Sequence, residues 1–190
     1  MKEEYAEILR RKRPYAPYFH FGGNKRGTEV GVVSDWLFAR YKNHMDHFCA
    51  REYRPNPLDP PDVVLIDHEG GRHGIEVTEF VDGPSISAHV KHRSIDFREY
   101  GEEEFHRLVS QRISEKARVP FKDLTCISKR LIIYSDERLI AYGHGVAFLS
   151  RFAPVRQAFF DEVWFIIPPA VDISGGEPEN PHCRIYEIKT

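Results

Sequence analysis

Two acidic residues sit in apolar company where carboxylates do not usually stand. Asp62 opens the run Asp62-Val63-Val64-Leu65-Ile66-Asp67, and Glu76 lies inside Ile75-Glu76-Val77-Thr78-Glu79-Phe80-Val81. Both runs are rich in β-branched residues, and the Gly70-Gly71 pair between them is a turn signal, so together they read as a β-hairpin. Two ionised carboxylates in such strands repel each other and resist burial, which costs several kcal/mol if they stay unpaired. A hard divalent cation such as Mg²⁺ or Mn²⁺ removes the conflict, because carboxylate oxygens are its preferred ligands. An ion held there can activate a water and polarise a phosphodiester. The alternative is that Glu76 faces solvent from an edge strand and Asp62 caps a turn.

The hairpin geometry brings the acids within reach of each other. With the turn centred on Gly70-Gly71, Asp62 falls opposite Thr78 or Glu79, and Glu76 lies on the diagonal, about 7–8 Å away. Within the second strand Glu76 and Thr78 share one face while Val77 and Glu79 share the other, which makes Glu79 secondary.

The elements that must position this hairpin follow from periodicity and breakers. Residues 3–13 predict a short helix that Pro14 and Pro17 end, followed by an aromatic connection of Tyr15, Tyr18, Phe19 and Phe21 that packs the arm onto the core. Gly22, Gly23 and Gly27 mark a loop, and Thr28 caps a helix from near Glu29 to about Cys49. Its apolar stripe is Val30, Val33, Trp36, Leu37, Arg40 and Tyr41. Pro55, Pro57, Pro60 and Pro61 predict the end of regular structure before the hairpin.

After the hairpin a helix is expected over 101–119, with Phe105, Leu108, Val109, Ile113 and Ala117 on its buried face and Pro120 as its stop. Glu102, Glu103 and Glu104 suit the positive end of that helix and take no catalytic role. Arg130–Ser135 reads as a central strand covered on both faces, residues 146–161 as helix, Val163–Ile167 as another buried strand and Arg184–Lys189 as an edge strand. The order predicts a three-layer α/β/α fold around a mixed sheet.

Pro61-Asp62, an apolar strand, a short turn and Ile75-Glu76-Val77-Thr78 resemble the core of the PD-(D/E)XK nuclease superfamily, the restriction-endonuclease-like fold, over about residues 28–168. The resemblance implies metal-dependent hydrolysis of nucleic acid with Mg²⁺ or Mn²⁺, DNA ahead of RNA as the substrate, and Asp62 and Glu76 as the acidic centre. It also implies a third acid from the preceding helix, for which Glu29 is the candidate and Asp35 the alternative. The signature lysine two residues after the second acid is replaced here by Thr78. Some relatives place that function on the following helix, and Lys116 is the candidate; without it the chain would be a degenerate module that binds nucleic acid or protein but does not cut. On this reading Lys91, His92 and Arg93 contact phosphates, giving affinity without sequence information.

The bulk composition leaves that reading open. The chain has 190 residues, 41% hydrophobic and 29% charged, which fits a single folded domain: an arm over 1–27, a core over 28–168 and an extension over 169–190. A formal net charge of -2 neither supports nor excludes a nucleic-acid partner, but basic residues are clustered at Arg10–Arg13, at Lys25-Arg26 and around Lys91–Arg98. Cys49, Cys126 and Cys183 are odd in number and lack zinc-ribbon spacing, so a reducing, cytoplasmic setting without membrane association is expected. A homodimer is left open. His44 and His47 lack further ligands at a recognisable spacing, His68 and His73 read as turn-flanking residues within reach of a phosphate, and Gly143-His144-Gly145 lacks the context of a phosphate loop.

Overall fold

The computed structural model describes residues 24–43, 50–82, 84, 99–135, 137, 140, 145–153, 155, 157–169 and 183–189. The expected helix at 3–13, the aromatic arm, His44, His47, Cys49, His144 and the Lys91-His92-Arg93 cluster lie outside them.

Six strands form one mixed sheet in sequence order. They are β1 (Ala50–Pro55), β2 (Val63–Asp67), β3 (Arg72–Glu79), β4 (Ser128–Tyr134), β5 (Glu162–Ile167) and β6 (Arg184–Ile188). β1, β2 and β3 run antiparallel, β3, β4 and β5 run parallel, and β6 returns antiparallel at the far edge. Parallel neighbours need crossovers, which here contain α2 (Glu102–Ala117) between β3 and β4, and α3 (Gly145–Ser150) between β4 and β5. The helix preceding β1 is α1 (Lys25–Lys42). The architecture is the three-layer α/β/α arrangement around a mixed sheet.

Period-two alternation divides the core. Val63, Leu65, Ile75, Val77, Ile132, Trp164 and Ile166 pack with Val32, Val33, Trp36 and Ala39 of α1. Leu131, Ile133, Val163, Phe165 and Ile167 face the other way, onto Phe105, Val109 and Ile113 of α2 and Leu149 of α3. Arg40 belongs to the buried stripe of α1 because its charge is paired. Its guanidinium lies 4.8 and 4.7 Å from the ring centroids of Trp36 and Trp164 and donates to Glu162 Oε2 at 2.9 Å, while Arg130 holds Glu162 Oε1 at 2.9 Å. Tyr41, expected on that stripe, is 75% exposed instead.

Four boundaries differ from expectation. α1 starts at Lys25, because Asn24 rather than Thr28 is its cap and accepts from Gly27 N–H at 2.6 Å. It ends at Lys42, well before Cys49, where the backbone N–H of Asn43 turns back onto Ala39 O at 3.0 Å. Residues 50–55, to which the sequence assigns no element, form edge strand β1, whose terminal Pro55 is tolerated at the strand's end. The helix expected over 146–161 is confined to Gly145–Ser150. No helix among the described residues is long and apolar enough to cross a membrane.

Candidate metal-binding carboxylate site

The β2–β3 turn sets the site. Its loop is His68-Glu69-Gly70, closed by Asp67 N–H onto Gly71 O at 3.0 Å, with Gly70 at φ 86° in the left-handed region that a three-residue hairpin loop needs at its last position. Asp67 Oδ1 fixes the turn by accepting from Glu69 and Gly71 N–H at 2.9 and 2.7 Å. The turn is therefore centred on Glu69, not on Gly70-Gly71. Val63 pairs with Ile75, and the same register continued by one residue sets Asp62 opposite Glu76 rather than opposite Thr78 or Glu79. The two acids thus face each other across the end of the ladder instead of lying on a diagonal.

β2 leaves the ladder there while β3 runs on to Glu79. Val77 N–H then has the Asp62 carboxylate as its acceptor, Oδ2 at 2.8 Å. A backbone donor that the ladder no longer satisfies thus anchors one oxygen of Asp62 and leaves the other pointing into the site. Glu76 is 7% exposed and Asp62 5% exposed, on a strand flanked on both sides, so Glu76 is not an edge-strand residue facing solvent.

Lys116, near the C-terminus of α2, donates from Nζ to Glu76 Oε1 at 2.6 Å. The helix therefore delivers an ammonium to the acid whose strand carries Thr78 in place of lysine. Thr78 is buried two residues on from Glu76, on the same face by alternation. Glu76 Oε2 is buried with no hydrogen-bond partner among the described residues. Burial and the Asp62 charge push the Glu76 carboxyl up, against the pull of Lys116.

Glu29 arrives from α1. Because the helix starts four residues earlier than expected, Glu29 sits in the second turn, and no acid occupies the first. Attraction to the helix dipole does not account for it. It is buried, and its carboxyl is pushed up to about 7 by burial and by the charge of Asp62, against the pull of the Lys25 ammonium. Asp35, the alternative third acid, accepts from Cys183 Sγ at 3.8 Å instead.

Lys25 was not anticipated. Its Nζ lies 3.1 Å from Glu29 Oε1, 3.5 Å from Asp62 Oδ1 and 3.8 Å from Asp59 Oδ2. Asn24 as an N-cap, with lysine four residues before a glutamate, was the available signal.

Four carboxylates (Glu29, Asp59, Asp62, Glu76) meet two ammoniums (Lys25, Lys116), leaving two formal negative charges. Among the described residues, no group of three or more His, Cys, Asp and Glu side chains is arranged as it stands to hold a metal ion. The chemistry of the donors nonetheless fits a hard divalent cation. Every candidate ligand atom is a carboxylate oxygen, and two buried ones, Glu29 Oε1 and Glu76 Oε2, accept no hydrogen bond among the described residues.

The remaining candidates lie elsewhere. His73 flanks the turn from within β3, where Nδ1 meets Ser128 Oγ at 2.8 Å and Nε2 meets Asp67 Oδ2 at 2.9 Å. Glu102 pairs with Arg151 through both oxygens, in keeping with a structural role at the start of α2. Comparison with protein-family models, with curated proteins and with solved structures finds no match for this chain.

Proposed function

We propose that this protein is a metal-dependent nuclease of the PD-(D/E)XK type, hydrolysing phosphodiester bonds of nucleic acid, DNA ahead of RNA. Asp62 and Glu76 would hold Mg²⁺ or Mn²⁺, with Glu29 completing the set. The bound ion supplies Lewis-acid polarisation of the phosphate and a water activated for in-line attack.

The chain's own residues divide the remaining work. Val77 N–H holds Asp62 Oδ2, so Oδ1 is the oxygen offered to the site. Lys116 holds Glu76 Oε1, orients that carboxylate and favours its charge against burial and Asp62, so Oε2 is the oxygen without a hydrogen-bond partner. The Lys116 ammonium is part-exposed and can donate a further hydrogen bond to an attacking water or a phosphoryl oxygen. The observation that carries this reading is the 2.6 Å contact from Lys116 to Glu76, because it supplies from a helix the ammonium that the strand lacks. Thr78 favours the second reading, a module on the same fold that binds without cutting.

Incubation with single- and double-stranded DNA and RNA in Mg²⁺ or Mn²⁺ decides between them. Cleavage is expected in the wild type, with a loss of at least a hundredfold in Asp62→Ala, Glu76→Ala and Lys116→Ala. Cleavage that persists in both acid variants rejects the assignment. Nucleic-acid binding without cleavage, and no divalent-ion uptake by calorimetry, selects the binding module.

A further inference from the structure

Lys25 places a positive charge where the carboxylates converge, and it does so from an unusual position. Its side chain is 75% exposed, yet its ammonium reaches Glu29 and Asp62, whose side chains are only 9% and 2% exposed. It meets Asp62 through Oδ1, the oxygen that Val77 does not anchor. The link to Glu29 is an i, i+4 contact on one face of α1, so helix geometry aims the lysine at the acid. Burial works against the Lys25 charge, but the contact with Glu29 and the charges of Asp62, Glu29 and Asp59 outweigh it and hold the ammonium well above the ordinary lysine range.

An exposed ammonium pays side-chain entropy to stay in such a pair and remains screened by water, so the contact is weak enough to exchange. A divalent ion offers twice the charge to the same oxygens. Building on the reading of Asp62, Glu76 and Glu29 as a metal site, we propose that Lys25 is the site's built-in counter-ion. It offsets part of the charge of Glu29 and Asp62 in the metal-free protein, and a divalent cation must displace it to bind.

The competition is read by calorimetry of Mn²⁺ binding to the EDTA-stripped, dialysed full chain without nucleic acid. Removing one charge about 5 Å from a divalent ion in a water-like, salt-screened setting changes affinity by roughly 5- to 15-fold. Lys25→Gln is therefore expected to tighten Mn²⁺ binding by about that factor, while Lys25→Arg, which keeps the charge, stays within about twofold of wild type. Arg26→Gln, an exposed neighbour, controls for the general field and is expected to change little. Thermal melts give an independent readout: metal-free Lys25→Gln melts below wild type, because its carboxylates are left to repel, and gains more than wild type from Mn²⁺. Mn²⁺ affinity of Lys25→Gln equal to or weaker than wild type overturns the competition while leaving the metal site standing. No Mn²⁺ uptake by either protein removes the metal site and the competition together.

Discussion

Replacing Lys116 with methionine keeps a long apolar stem and deletes the ammonium that reaches Glu76 Oε1 at 2.6 Å. Glu76 Oε2 already lacks a partner, so the variant leaves both oxygens of a carboxylate that is only 10% exposed without a donor and beside the Asp62 charge. At an effective dielectric of about 20 the direct attraction at that distance is about 6 kcal/mol, most of it offset by desolvation of both groups. Lys116 remains 29% exposed, which places the net worth of the contact at about 1.5–3 kcal/mol, the range of a charge-assisted hydrogen bond, rather than at the higher cost of breaking a fully buried pair. A protein of 190 residues loses about 2–4 °C of melting temperature per kcal/mol, so Lys116→Met in EDTA should melt about 3–12 °C below wild type. Glu76→Gln removes the need for the ammonium, so the two substitutions should not add, and their coupling should equal the worth of the contact. The assay is urea denaturation of wild type, both single variants and the double variant at pH 7 in EDTA. The deficit of Lys116→Met should also shrink toward pH 4, because the Glu76 carboxyl is already pushed up and protonation relieves it. A coupling below about 0.5 kcal/mol refutes the reasoning: the contact would then not exist in solution, and α2 would not be the source of the missing ammonium.

Three further outcomes are expected. Glu29 titrates near 7 in the folded protein against 4.5 in the unfolded chain, so its contribution to stability is full below pH 4.5 and is lost as pH rises through about 7. Chemical denaturation across that window should show a decline of about 1–3 kcal/mol in metal-free wild type that Glu29→Gln flattens, and an unaltered slope contradicts the placement of Glu29. Glu162 behaves in the opposite sense: burial opposes its charge, but Arg130, Trp164 and Arg40 hold the carboxyl down to about 2. Its contribution is present above pH 4.5 and lost as pH falls through about 2. Glu162 is 24% exposed, so Glu162→Gln should cost about 2 kcal/mol at neutral pH and almost nothing near pH 2 in urea denaturation. Gly74→Ala would set a methyl 2.5 Å from Phe121 Cε2 and 3.0 Å from Pro61 Cγ, and Phe121 is wedged against Phe159 and Phe160. A loss of about 1–3 kcal/mol is expected, with weaker Mn²⁺ binding because Pro61 adjoins Asp62; full stability would mean that Phe121 is free to move.

The inner strands and α2 were readable because their signal is redundant. Leu131, Ile132 and Ile133 are buried on both sheet faces, and Phe105, Val109 and Ile113 recur at helical spacing, so any local error still leaves the element in place. β1 was not readable, because Arg51, Glu52 and Arg54 are exposed on an edge strand and carry no apolar pattern. The acids of the site were visible for the first reason: Asp62 and Glu76 stand out against apolar neighbours whatever the register.

Their mutual placement depended on choices that local sequence decides weakly. Asp67, Gly70 and Gly71 all favour a turn, and which of them closes it is settled by Asp67 accepting from the Glu69 and Gly71 amides. Moving the centre by one and a half positions shifts every cross-strand partner by three, and that alone turns a diagonal pair of acids into a facing pair. The same holds for α1. Asn24 and Thr28 are both good caps, and they differ by less than the roughly 1 kcal/mol that a cap is worth. Choosing Asn24 puts Lys25 inside the helix, one turn before Glu29 and within reach of Asp62. A preference that small, amplified by helix geometry, decides whether the acidic centre stands bare or carries its own cation. That is why the acids stand out in the sequence while the charge beside them depends on which cap is chosen.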